Sequence, residues 1–553
     1  MDKKTLLAFG LIAVVLILTP WYMDQVAPVQ KIIAVDSTVT APTVDQPKVG
    51  FNTSDVLGNS PRFLPSVIDQ EYVVKNGLYT AKISNKNGGS FSSFVFENFL
   101  KYDSSLVNII DRLNKNNLLI KFVSLDGDNV SLNNNWDIVG SYSNIDAGGK
   151  QKSITFKTIY NNYVIKKRFT FYPNTYKIGL EVFFDQPDRF ISRSQYKLIW
   201  NGGLAPTEKN LKDDYTHFQG YAYLGDELLD PSAKSGQTSE EKQTGNTNWT
   251  ATKTKYFISA IIPEDAGVGA VVRGSVDENR PLFTTELRQT TFNSGRFDLY
   301  LGPLEYNRIR ALGIDLEKTM NLGWAIIRPL GRLVTWSLSK MYNMIPNYGV
   351  VIIIFAILVK IILNPLTKKS FQSNRRMQDV QPKIKKLKEK YKNDSQKFSR
   401  AQMELFKQEG VNPMGGCLPM LLQMPILIAF FSVFRSTIEF RGAPFFGWIT
   451  DLSAPDTLMT IAGFPINILP FFMGITMFLQ QKLMASPSSG TQQKVSMYAM
   501  NVFFLFLFYS FPSGLNLYYS VFNLLSIVQQ KYLTPAPAPV KKQSVATKPQ
   551  KKK

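Results

Sequence analysis

Lys360 is the only ionisable residue inside the apolar run Tyr348–Leu366, and Asn364 lies one helical turn further along the same face. Two readings of such an ammonium are open. It snorkels to the nearer interface, about 9 Å away at Leu366 by helical rise, or it faces a polar groove. In the second case the pair offers binding chemistry, a fixed positive charge beside an amide. The residue types that catalysis needs are sparse elsewhere. The single histidine, His217, leaves no His-rich metal site and no HExxH helix. The single cysteine, Cys417 beside Gly415-Gly416, excludes an intrachain disulfide framework and is expected to pack rather than react. There is no GxxxxGK[ST] phosphate loop and no GxSxG elbow, so neither ATP hydrolysis nor serine hydrolysis has a visible motif. No enzymatic activity, metal or cofactor is expected.

The elements that would position Lys360 are membrane spans. Apolar runs near the roughly 20 residues that cross a bilayer occur near the N-terminus and in the last 210 or so residues. The net charge of +21 over 553 residues is concentrated beside those runs, where it sets orientation and meets anionic lipid. Lys3 and Lys4 precede Thr5–Tyr22, which ends in Trp21 and Tyr22. A cleaved signal and a retained anchor are both compatible; the length of the run and the lack of a clear A-x-A site favour an anchor over residues 1–26, N-terminus inside. Residues 27–66, rich in Pro, Thr, Val, Asp and Ser, read as a linker. Residues 67–320 hold short β-rich runs such as Tyr163–Tyr172 and Lys177–Phe184, broken by turn clusters, and predict an antiparallel β-sandwich. Residues 321–347 mix aromatic, apolar and basic residues around Pro329 and predict an amphipathic helix lying in the interface.

The remainder, 348–533, reads as five spans. Tyr348–Leu366 is expected to end at Asn364-Pro365 and enter the cytoplasm at Lys368 and Lys369. A hairpin over 368–410 follows, in which Lys368–Glu409 carries thirteen Lys or Arg against five acidic residues. Its apolar positions recur at helical spacing, Ile384, Leu387 and Tyr391 on one arm and Phe398, Ala401 and Leu405 on the other. Further spans are expected at Pro419–Phe434, Thr457–Leu479, Val495–Phe511 and Leu515–Leu533, with a basic tail at 534–553. Alternating directions place both termini inside. The fold class is therefore an α-helical polytopic membrane protein of six spans, with a periplasmic all-β domain.

Four motifs in the C-terminal half carry a resemblance: Asn364-Pro365-Leu366-Thr367, Gln381-Pro382-Lys383-Ile384, Val411–Ile426 and Phe511–Tyr519. Lys255-Tyr256-Phe257 with Ile262-Pro263, Leu301-Gly302-Pro303, and Gly323-Trp324 leading to Pro329-Leu330 extend it more loosely toward the N-terminus. In order and spacing these resemble the YidC/Oxa/Alb family of membrane-protein insertases in its Gram-negative form. The resemblance implies an inner-membrane protein whose five C-terminal spans enclose a hydrophilic groove open to cytoplasm and lipid and closed on the periplasmic side. It implies a β-supersandwich related to mutarotase folds; the lone His217 speaks against mutarotase chemistry there.

Residue by residue, the resemblance places Lys360, Asn364, Gln423, Tyr518 and Tyr519 in or beside the substrate path. It places Met420, Met424, Ile428, Phe503 and Phe506 on an apolar slide for the entering helix. The family usually carries arginine where this chain has Lys360, so the charge is kept but the planar fork that grips a carboxylate is lost. Implied partners are nascent membrane proteins and the Sec translocon. The basic hairpin is open to two readings, a solvated lipid-touching loop or a dock for ribosome and signal-recognition machinery; the lysine tail could touch ribosomal RNA without sequence specificity. The competing class, a solute transporter or channel, would show repeated halves with several midplane charges, and one such charge is visible here.

Overall fold

The computed structural model describes residues 68–411 and 418–533, apart from 112–115, 141–143, 292, 324–325, 393 and 485–490. The expected anchor, the linker, Cys417 and the basic tail lie outside the described residues. The chain divides between Leu304 and Glu305 into a β unit and a helical unit.

In the β unit, five described strands form one sheet and fourteen the other. The small sheet runs in the order Leu106–Asn108, Ser90–Leu100, Tyr79–Ser84, Glu71–Lys75, Asn144–Asp146. Its last pair is parallel and its other pairs are antiparallel. At the centre of the large sheet, Phe257–Pro263, Ser294–Pro303, Lys177–Phe184 and Tyr163–Phe171 are neighbours in antiparallel register. Period-two alternation decides which side chains turn inward. Along Tyr163–Phe171 the buried set is Ile165, Lys167, Phe169 and Phe171. Rings then close the space between the sheets: Phe91 meets Phe169 edge-on at 6.1 Å, and Phe96 stacks on Phe257 at 4.9 Å.

Lys167 thus occupies a core position and is fully buried. Its ammonium donates to the carbonyl oxygens of Asn87, at 2.7 Å, and Leu118, and lies over the Trp136 ring. Desolvation pulls its pKa down to about 7. The unfolded chain, with an ordinary lysine near 10.5, therefore binds more protons than the folded one between those values, and stability must rise with pH across that window. We expect Lys167 to contribute about 2–3 kcal/mol of climb in the unfolding free energy of the β unit from pH 7 to pH 9, so that Lys167→Met climbs less by that amount; the rise that remains comes from buried Lys253, whose pKa desolvation lowers to about 8. Denaturant titrations read by tryptophan fluorescence would check this; parallel pH dependences in the two proteins would refute it.

The helical unit begins with α1 (Arg328–Tyr342), which starts one residue before Pro329, where a missing N–H costs nothing. It buries Gly331, Val334, Thr335 and Leu338 and leaves Leu333 and Trp336 exposed. Next comes α2 (Tyr348–Lys390), capped by the Asn347 side chain, which accepts from the Val350 N–H. It is followed by α3 (Ser395–Gln408), capped by Asp394. Four apolar helices complete the unit: α4 (Leu418–Ser436), α5 (Leu469–Met484), α6 (Thr491–Tyr509) and α7 (Ser513–Val528). Among the described residues, α2 is the one helix long and apolar enough to cross a membrane by itself; Gln423–Ser436 and Met497–Tyr509 are shorter apolar helices.

Two expectations are corrected. Helix α2 does not end at Asn364-Pro365 but runs 43 residues in all, through Pro365 and Pro382, so the span and the first arm of the basic hairpin are one helix. Near the first proline the Thr367 hydroxyl lies within hydrogen-bond distance of the Leu363 and Asn364 carbonyls and bonds back to the preceding turn. The expected span Thr457–Leu479 is not one helix either: Thr457–Ile461 and Phe464–Asn467 form an antiparallel ribbon, and the helix begins at Leu469.

Between the hairpin arms, Val380, Ile384, Phe406 and Val411 form a small core joined by Met377, Phe398 and Leu405. Ile384, Phe398 and Leu405 of the expected stripes belong to it, whereas Leu387, Tyr391 and Ala401 are part-exposed outside it.

Candidate substrate groove

Helical spacing puts Lys360, Asn364, Thr367 and Phe371 on one side of α2. From α7, Ser526 meets Lys360, and Asn516, Ser520 and Asn523 precede it at steps of three or four on the same helix face; all four are buried. The chain then widens into a π-helix over Gln529–Leu533. That turn lets two successive glutamines reach different neighbours. Gln529 donates to Asn364 Oδ1 and, at 3.0 Å, to Thr367 Oγ1, whereas Gln530 donates to the Leu483 carbonyl at the end of α5. The result is a polar seam inside an apolar bundle, with Thr476 and Gln480 on α5 and Gln423 on α4 at its sides.

Lys360 is 7% exposed, and its ammonium donates to Ser526 Oγ at 2.6 Å. It also lies 4.5 Å from the centre of the Phe522 ring and 5.7 Å from that of Phe371. Among the described residues no carboxylate pairs with it, so hydroxyl and ring faces alone hold the charge. Beside it lies a small pocket of about 20 Å³, lined by Lys360, Thr367, Phe371, Gln423, Gln480 and Ser526 among others.

Away from the basic hairpin the seam is shut by rings. Tyr518 is fully buried and stacks on Phe430 at 4.1 Å; Phe430, Phe434 and Phe440 continue the stack to Tyr348 and Tyr342. The Phe511–Tyr519 motif builds this closure. The Ser513 and Gly514 N–H groups donate to the carbonyls of Ala454 and Leu452, and a Cβ at Gly514 would come within 2.7 Å of the Phe434 ring. Tyr519 is buried edge-on to Phe508, and the Gln423 side chain faces its hydroxyl.

The structure therefore brings Lys360 and Gln423 to one pocket, ties Asn364 to the same seam through Gln529, and sets Tyr518 and Tyr519 in the packed interior. Of the apolar candidates, Met424, Phe503 and Phe506 are exposed and Ile428 is part-buried. The side chain of Met420, on α4, lies outside the described residues. Helix α4 leans on α1 and α2, and α6 leans on α5. Ser526, Gln529 and Gln480 are missing from the sequence reading. The recurrence of Asn516, Ser520, Asn523 and Ser526 in an otherwise apolar run is the signal that finds the α7 face.

Residues 71–333 match the family described as the YidC periplasmic domain, and residues 340–538 match the 60Kd inner membrane protein family. The membrane protein insertase YidC of Chlorobaculum parvum is 33% identical over 96% of this chain and 94% of that one. The insertase YidC of Chlorobium luteolum is 33% identical over 100% and 99%. A solved structure described as an active YidC insertase with the first transmembrane domain resolved aligns at a TM-score of 0.38, with 18% identity over 85% of this chain and 94% of that one. With a β-sandwich periplasmic domain and a helical insertase region matched over nearly its whole length, the chain belongs to the YidC family of membrane protein insertases.

Proposed function

We propose that the seam headed by Lys360 receives the polar tail or loop of a nascent membrane protein, while the substrate's apolar helix leaves toward lipid between α4 and α6. The observation that carries this reading is an ammonium buried beside a small polar-lined pocket with no counter-ion among the described residues. A charge in that state costs least when an anionic group arrives to pair with it. Lys360, Asn364 and Gln423 would meet the tail; Tyr518 and Tyr519 would hold the closed end; Met420, Met424, Ile428, Phe503 and Phe506 would form the slide. Moving polar backbone through hydrocarbon costs several kcal/mol per unsatisfied group, and a wet groove shortens the dry path. Partitioning of the apolar helix and the membrane potential acting on its charges drive the step, so no bond need be broken.

In the same reading, six spans with both termini cytoplasmic hold the chain in the inner membrane. Residues 1–26 form the anchor, 27–66 a tether, 67–320 the periplasmic domain, 321–347 an interfacial helix, 348–533 the core and 534–553 a basic tail. At ~1.5 Å per residue α2 is roughly twice as long as a bilayer's hydrocarbon is thick, and its basic half suits the cytoplasm, anionic lipid and a ribosome or signal-recognition partner. Cooperation with the Sec translocon would feed larger clients to the same slide.

Photocrosslinkers at Met424, Ile428, Phe503 and Phe506 should capture the apolar helix of an insertion-arrested substrate. A crosslinker at Ile362, exposed on α2, should capture it at least about tenfold less, because an outward side chain there sees lipid. Equal capture at Ile362 would remove the slide from the account. A solute transporter would yield no substrate adduct at any of these positions.

A further inference from the structure

The ribbon Thr457–Asn467 stands at the end of the helical unit remote from the basic hairpin, at the N-terminal end of α5 and the C-terminal end of α6. It is a rigid element. Ala462 and Gly463, with φ of 49° and 81°, make its two-residue turn. Asn467 donates to the Tyr509 carbonyl at 2.7 Å and accepts from Thr457, and the Tyr509 hydroxyl donates to the Pro465 carbonyl. Beneath it, Asp456 accepts from Trp448 Nε1 and from the Ile468 and Leu469 N–H groups, which caps α5.

Its surface does not suit water. Leu458, Met459, Ile461 and Phe464 are 44%, 51%, 59% and 62% exposed, and alternation along the strand puts apolar side chains on both faces. The ribbon has two strands, so both outer edges lack strand partners among the described residues. No ionisable residue occurs from Thr457 to Gln481. An uncharged apolar ribbon with open edges is an aggregation template in bulk water, and water-facing edges normally carry charge. The hydrocarbon centre is equally unsuitable, because unpaired edges find no partners there. The remaining environment is the boundary between headgroups and acyl chains. The apolar surface is also continuous with exposed Phe471, Phe472 and Ile475 on α5 and Phe506 on α6. Helix α5 has 16 residues, roughly 24 Å of rise against about 30 Å of hydrocarbon, and the ribbon stands where that helix falls short.

We propose that the Thr457–Asn467 ribbon is a bilayer anchor, seated in the headgroup–acyl boundary at the end of the bundle remote from the basic hairpin. Its apolar side chains enter lipid, and its strand edges meet headgroups and interfacial water. It fixes the depth of the α5 and α6 ends.

The test uses full-length protein with Cys417→Ser in vesicles of phosphatidylethanolamine and phosphatidylglycerol. An environment-sensitive fluorophore is placed on Met459→Cys, Ile461→Cys or Phe464→Cys, with Glu240→Cys as the aqueous control. We expect blue-shifted emission from the three ribbon probes, with quenching by lipids spin-labelled near the glycerol at least about threefold stronger than by lipids labelled at the bilayer centre. The Glu240 probe should instead be quenched by aqueous iodide. Ribbon probes as open to iodide as Glu240 would overturn the proposal. So would stronger quenching from the bilayer centre, or shielding from iodide without any lipid quenching, which would mean that protein covers the ribbon.

Discussion

Tyr518→Ala is expected to destabilise the helical unit by about 3–5 kcal/mol, whereas Tyr518→Phe should stay within about 1 kcal/mol of the parent. The ring is fully buried, stacks on Phe430 at 4.1 Å, and also meets Phe522 and Tyr519. In a membrane the hydrophobic effect contributes little between helices, so close packing carries their association and a cavity is felt in full. Among the described residues the buried Tyr518 hydroxyl has no hydrogen-bond partner, so its removal forfeits no bond there. Detergent unfolding of the purified protein would read both substitutions. If Phe were as damaging as Ala, Tyr518 would act through its hydroxyl and the ring seal would not be its role. Insertion should follow stability: near parental in Tyr518→Phe, strongly reduced in Tyr518→Ala.

The other large effect is expected at Lys360. A carboxylate at the bilayer centre costs about 2.5–3.5 kcal/mol on insertion scales. A fixed cation that recovers even about 1.4 kcal/mol of that changes the rate of tail passage tenfold. Ser526 and the two rings hold the ammonium in place but do not neutralise it, so its charge remains available. Arginine keeps the charge on a longer, planar head and adds a bidentate grip, so Lys360→Arg should insert as well as the parent or better.

Sequence and structure agree where a physical signal is unambiguous. Lys360 is legible because one ionisable residue in an apolar run has few explanations, and Asn364 follows from helical spacing. The strand Tyr163–Phe171 is legible from composition, but its inward lysine is not: alternation puts Lys167 on the core face, and the carbonyls of Asn87 and Leu118 and the Trp136 ring, all distant in sequence, make that position tolerable. Gln529 is hidden for a related reason, since it reaches Asn364 only because the helix widens to a π-turn. Thr457–Asn467 shares the composition of a span, and periodicity cannot separate short apolar strands from helix. The cues are local, with Ala462-Gly463 suited to a tight turn, Pro465 unsuited to helix, and β-branched Thr457, Thr460 and Ile461 before it. Pro365 misleads in the opposite sense, because proline commonly ends a helix yet here sits inside α2.

The most direct test of the central claim is pulse-labelling of a small single-span protein with an acidic external tail, in cells depleted of the chromosomal copy. Rescue is compared for the parent, Lys360→Arg and Lys360→Ala at matched membrane levels. The account predicts that depletion stops insertion, that the parent and Lys360→Arg restore it, and that Lys360→Ala restores at most about a tenth of the parental rate. Full rescue by Lys360→Ala would contradict it, leaving Lys360 a snorkelling residue and the polar seam a feature of helix packing.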